Sequence, residues 1–155
     1  MKKRRKARNN ALEILYQKEI SGLNQEIILK NREEADLEEI DEYCNLLIRG
    51  IEKHKKELDG LINKYAKNWR LDRMPIVDRN ILKISIFELK HLKEVPVSVA
   101  INEAVEMAKI YGTENSSRFI NGILGQVARD MEENGPKDGQ PLAEKSILGK
   151  GKQGE

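Results

Sequence analysis

The sequence predicts an all-α protein, a compact helical bundle of about six to seven helices. Three observations lead there. Apolar residues recur three and four positions apart in successive segments, the spacing that puts them on one face of a helix. Gly, Pro and small polar residues fall between those segments, where helices start and stop. The chain has 155 residues, 39% hydrophobic and 35% charged, enough for one domain with a real core.

The first segment, from Lys3 to about Ile20, carries Ala7, Ala11, Ile14, Leu15 and Lys18 along one face. Ser21 and Gly22 stop it, the glycine being suited to a left-handed cap. Ile27, Ile28 and Leu29 open a short second segment. Residues 33–42 are strongly acidic, and Asp36 with Glu39 three positions on has the spacing of a capping box. Ile40, Tyr43, Leu47 and Ile51 form the stripe of the helix that follows, and Leu58, Leu61, Ile62 and Tyr65 that of another. Asn68 to Met74 reads as a connector, with Asp72 a cap for the next helix and Pro75 in its first turn.

That next segment, Ile76 to Leu92, holds Val77, Ile81, Leu82, Ile84, Ile86, Phe87 and Leu89. It is apolar on nearly all sides, as expected of the buried centre of a domain. Its β-branched residues raise a strand as the alternative, and its length favours a helix. Pro96 interrupts the pattern. Ser98 can cap a helix with Ile101, Ala104, Val105 and Ala108 inward, ending at Gly112. Thr113 can cap the last, striped by Phe119, Ile120, Ile123, Leu124 and Val127. The domain is expected over residues 1–132. Residues 133–155, with five glycines and two prolines among scattered charges, have the composition of a disordered tail.

Net charge is +2, unevenly spread. Lys2, Lys3, Arg4, Arg5, Lys6 and Arg8 crowd the first eight residues, and the rest of the chain has a small acidic excess. A basic arm on a mildly acidic body points to a polyanion as partner of the arm. Cations at a helix start also oppose the macrodipole, so their presence there asks for a use beyond helix stability. The bland reading is a frayed, solubilising terminus.

Nothing in the sequence suggests turnover. It has no Gly-rich phosphate loop, nucleophile elbow or zinc motif. His54 and His91 are far apart in the chain and belong to no ligand-spaced cluster, so structural roles are expected for both, with no metal and no cofactor. One cysteine, Cys44, excludes an internal disulfide and fits a reducing cytoplasm. No apolar run approaches a membrane span, and the basic start has no apolar segment behind it to make a secretory signal. A second polyanion signal is Asn115 through Gly122, where small polar groups, Arg118 and Phe119 gather at a helix start. Backbone N–H groups there suit phosphate and an aromatic ring suits an unpaired base. Phe119 as core and the polar residues as caps is an equally good reading.

Three stretches together resemble the NusB family. They are Arg4-Arg5-Lys6-Ala7-Arg8 leading into Ala11 to Gln17, then Val77-Asp78-Arg79-Asn80-Ile81-Leu82-Lys83 through Leu89, and most specifically Val95 to Lys109 followed by Tyr111-Gly112 and Ser117 to Leu124. The resemblance spans about residues 3–130, in order. It implies an all-α fold in two helical subdomains and a role in transcription antitermination of ribosomal RNA operons. It also implies binding to boxA RNA together with the ribosomal protein NusE, with other Nus factors and RNA polymerase reached indirectly. A homodimer is compatible with it.

By the same resemblance, RNA contacts fall on Arg4, Arg5 and Arg8, reinforced by Lys2, Lys3 and Lys6, on Tyr16, for which simple packing is the alternative, and on Asn115, Arg118 and Phe119. Some relatives carry an acid where Asn115 stands, and the amide removes a charge that would repel phosphate. NusE contacts fall on Asp78, and less specifically on Phe87 and Glu88, with Phe87 as a core residue the alternative. The same fold is appended to some RNA methyltransferases, but this chain shows no cofactor-binding glycine motif. A protein-interaction adaptor without direct RNA binding is the competing reading.

Overall fold

A computed structural model describes residues 2–35, 40–66 and 74–134. Among them are seven α-helices and no strand: α1 (Lys2–Ser21), α2 (Gln25–Glu34), α3 (Glu42–Lys53), α4 (Lys55–Tyr65), α5 (Ile76–His91), α6 (Val97–Tyr111) and α7 (Ser116–Asn134). The helical punctuation follows local chemistry. Gly22 ends α1 at φ 74°, and its N–H donates to the Lys18 carbonyl at 3.0 Å. The Asn24 side chain caps α2 by accepting from the Ile27 N–H at 3.0 Å.

Three caps differ from expectation. Asp41 caps α3, accepting from the Cys44 N–H at 2.9 Å. The Asp36–Glu39 pair lies outside the described residues, as does Asp72. In an acidic run several side chains suit a cap, and the hydrophobic register selects the one just before the stripe. Ser98 lies inside the first turn of α6, because Pro96, at φ −60° and ψ 145°, already occupies the cap position. Thr113 does not cap α7 with its side chain. Its N–H instead donates to Ser116 Oγ at 2.9 Å.

The centre is α5, as its all-round apolar sequence requires. Ile81, Leu82, Ile84 and Ile86 are completely buried, and α1, α3, α4, α6 and α7 all pack against it. Each such side chain contributes about 1.5–3 kcal/mol by leaving water. α1 packs on α2, α3 and α5, and α6 packs on α5 and α7. Cys44 is buried, and burial pushes its thiol up to about 11, so it is a core residue rather than a reactive one. No described helix is long and apolar enough to cross a membrane. The residues expected to form a tail lie outside the described residues, except the first two, which continue α7.

Candidate nucleic-acid interface

The first two turns of α1 contain no acid, and their cations divide by helical position. Lys3, Arg5 and Lys6 are exposed, whereas Arg4 is half-buried. The Arg4 guanidinium lies 4.6 Å from the centroid of the Tyr43 ring on α3, a cation–π contact that fixes its direction. Arg5 reaches across to α6, donating from Nε and Nη2 to the two oxygens of Glu103 at 3.1 and 2.8 Å. This bidentate pair holds the Glu103 carboxyl below its ordinary range, chiefly through the Arg5 hydrogen bonds. The Arg5 side chain still exposes 55% of its surface, so its remaining donor faces are accessible.

Arg8 is different. Its side chain is only 2% exposed, and its Nε donates to Glu88 Oε2 on α5 at 2.8 Å. The hydroxyl of Tyr43 donates to the same oxygen. Arg8 Nη1 lies 3.6 Å from Glu103. Burial pushes the Glu88 carboxyl up, opposed by the nearby Arg8 charge and by the hydrogen bonds from Tyr43 and Arg8. Burial also pushes the Tyr43 hydroxyl up, and the Glu88 charge adds to that shift. Arg8 is therefore an anchor beneath the basic turn, not part of the surface that the sequence suggested. Its position could have been read: it stands four and seven residues before Leu12 and Leu15, on the buried stripe. Lys2 belongs to α1, and its side chain lies outside the described residues.

The second expected contact region is the start of α7. Asn115 and Arg118 are exposed there. The Asn115 carbonyl accepts the first helical bond, from the Phe119 N–H at 3.2 Å. Phe119 is half-buried against the core, so one part of the ring packs and another meets solvent. The turn is fixed from below, where buried Ser116 donates from Oγ to Asp78 Oδ1 on α5 at 2.8 Å. Burial raises the Asp78 carboxyl and the Ser116 hydrogen bond opposes that rise. Removing the hydroxyl in Ser116→Ala strands the Asp78 oxygen, with an expected cost of about 1–3 kcal/mol. Urea unfolding with an unchanged m-value would register it, and a cost near zero would mean that Asp78 finds another donor.

Tyr16 is 41% exposed, eleven residues along α1 from Arg5, or about 16 Å of helix. It lines a cleft between α1 and α2 with Ile20, Leu23 and Ile28, so the fold does not join it to the basic turn. The three residues expected to meet a protein partner are interior in this chain. Asp78, Phe87 and Glu88 expose 4%, 3% and 1% of their surface. They belong to α5, whose sides are covered by other helices, and they fix helix positions instead of presenting contact surface.

Tyr43 and Glu103 were not legible as participants, because each acts on residues at least 35 positions away in the chain. The two histidines, far apart in the chain, meet in the fold. Folding stacks the His54 ring on that of His91, with centroids 4.0 Å apart. With Glu57 they form a group whose donor atoms could hold a metal ion.

The fold and the site together define the class: a small all-helical protein with a cationic helix start locked onto its core. The chain belongs to the NusB family, whose model matches residues 5–129. It is similar to the transcription antitermination protein NusB of Symbiobacterium thermophilum, 45% identical over 139 residues, covering 83% of this chain and 91% of that one. That of Listeria monocytogenes is 42% identical over 126 residues, covering 81% and 96%. Among solved structures, T. maritima NusB superposes with a TM-score of 0.73 at 38% identity, covering 82% of this chain and 91% of that one. A chain from a complex of the antitermination factors NusB and NusE with double-stranded RNA superposes with a TM-score of 0.73 at 29% identity, covering 84% and 98%.

Proposed function

We propose that this protein is a transcription antitermination factor that binds boxA RNA together with NusE and so supports transcription of ribosomal RNA. It acts by binding, without turnover. The observation that carries this reading is the first turn of α1: Lys3, Arg5 and Lys6 face solvent over an anchor, Arg8, that keeps the turn in place. Curated relatives named as antitermination proteins support it, as does the neighbour solved with NusE and RNA. Phosphates would be neutralised by the α1 cations and Arg118, while bases splayed from a single strand would stack on exposed ring surface such as that of Phe119. Asp78, Phe87 and Glu88 would serve NusE binding through the helices they fix. Other Nus factors and RNA polymerase would be reached through that pair.

The testing experiment is fluorescence anisotropy of labelled boxA RNA and a scrambled control, with and without NusE, across a salt series. Lys3→Ala/Lys6→Ala keeps Arg5 and the buried Arg8. It is expected to weaken boxA binding at least about tenfold and to reduce the log–log salt slope by roughly 1.4, two single-strand phosphates' worth. Unchanged affinity and slope would remove the α1 turn from the interface. Failure of boxA to bind even with NusE present would leave the protein-adaptor reading instead.

A further inference from the structure

We propose that His54, Glu57 and His91 form a binding site for a divalent transition-metal ion of the zinc type, separate from the basic turn of α1. His54 is the joint residue between α3 and α4, held at both ends: its N–H donates to the Gly50 carbonyl and its carbonyl accepts from the Leu58 N–H, each at 3.0 Å. Glu57 stands three residues on, in the first turn of α4, and His91 is the last residue of α5. Three elements therefore deliver one donor each to a single point.

The geometry fits a small ion. His54 Nδ1 lies 3.3 Å from Glu57 Oε1, and His91 Nε2 lies 2.9 Å from the same oxygen. All three donor atoms lie within 4.8 Å of one another. Ligands about 2.0–2.1 Å from a tetrahedral zinc stand roughly 3.3 Å apart, and both nitrogen–oxygen separations are within a few tenths of an ångström of that spacing. The rings stack at an interplanar angle of 24°, and Phe87 packs against both, with centroids 5.9 and 5.3 Å away. That buried ring forms an apolar floor that limits how far either imidazole can turn away.

The donor set selects the ion. Two imidazole nitrogens and one carboxylate oxygen suit zinc and its neighbours in the first transition row, whereas calcium and magnesium need a shell of oxygens. The side chains of His54, His91 and Glu57 expose 29%, 28% and 37% of their surface, which leaves the outer side open for water to complete the coordination. Without an ion, two stacked imidazoles compete for one carboxylate oxygen. An ion satisfies all three groups at once, and ties the α3–α4 joint to the end of α5.

The test uses the full chain, stripped with a chelator and titrated with Zn²⁺ by calorimetry, with Co²⁺ as a spectroscopic substitute. One equivalent of Zn²⁺ is expected to bind and raise the thermal midpoint, and Co²⁺ is expected to give the visible bands of a four- or five-coordinate site. His54→Gln, His91→Gln and Glu57→Gln are each expected to weaken binding at least about tenfold, with helicity by circular dichroism unchanged, while Cys44→Ala retains it. Absence of Zn²⁺ binding to the unsubstituted chain would overturn the site. So would binding that survives both histidine substitutions, or binding lost only with Cys44.

Discussion

Arg8→Met is expected to destabilise the fold by about 3–5 kcal/mol, the range for removing one partner of a buried ion pair. The methionine fills much of the space of the arginine stem, so the loss is electrostatic more than steric. Glu88, 1% exposed, would then keep only the Tyr43 hydroxyl as a donor among the contacts described above. Its carboxyl, already raised by burial from an ordinary 4.5, rises further without the guanidinium. The sign follows from linkage. In the variant the folded state holds a proton that the unfolded state releases, so stability present below pH 4.5 is lost as pH climbs toward the raised folded value. The deficit relative to the parent is thus larger at pH 8 than at pH 5.

Urea unfolding at both pH values checks this. Equal deficits would mean that Glu88 is not left as an unpaired buried charge. Arg8→Met/Glu88→Leu should recover much of the loss, because replacing both charges also removes the desolvation of a pair in which Arg8 Nη2 has no hydrogen-bond partner among the described residues.

Gly50→Val is expected to cost roughly 3 kcal/mol, at the upper end for overpacking a filled interior. A Cβ at Gly50 would fall 2.1 Å from Phe87 Cζ, with two more ring carbons inside 2.8 Å. The ring cannot simply step aside, since Phe87 is buried and sits against His54 and His91. Valine's better helix propensity returns only a few tenths of a kcal/mol. Gly60, within α4, is the control: a Cβ there meets nothing within 4 Å. Gly60→Ala should therefore stabilise by about 0.5–1 kcal/mol. Thermal unfolding of the two variants should shift in opposite directions, and a neutral Gly50→Val would show that α3 and α5 can separate without penalty.

Much of the fold is legible because helices announce themselves locally. Gly22, Pro75 and Pro96 mark boundaries through backbone geometry alone, and the all-round apolar sequence of α5 puts it at the centre. The sequence is less informative where one local pattern admits several answers. The acidic run offers several caps for α3, and Asp41 is selected only by register with Leu47 and Ile51. The site was legible in composition but not in arrangement. Six cations near the start look equivalent in sequence, yet helical phase sends Arg8 inward and Arg5 outward. Which carboxylates meet them depends on contacts 80 and 98 residues away in sequence, with Glu88 and Glu103. The same holds for Asp78, Phe87 and Glu88, whose types suit a surface but whose helix is enclosed. His54 and His91 meet because the α3–α4 joint lands beside the end of α5, a tertiary fact that no spacing within the chain encodes.

Glu103 takes Arg5 from outside and Arg8 from inside, so one carboxylate serves both the surface cation and the anchor. Neutralising it would release Arg5 toward a polyanion and loosen Arg8 at the same moment. Gains in attraction and losses in persistence of the fold are thereby coupled at a single side chain. Evolution acting on this position cannot adjust one without the other. A drifting lineage could strengthen its grip on nucleic acid here only if compensating changes elsewhere in the core restored the margin of stability.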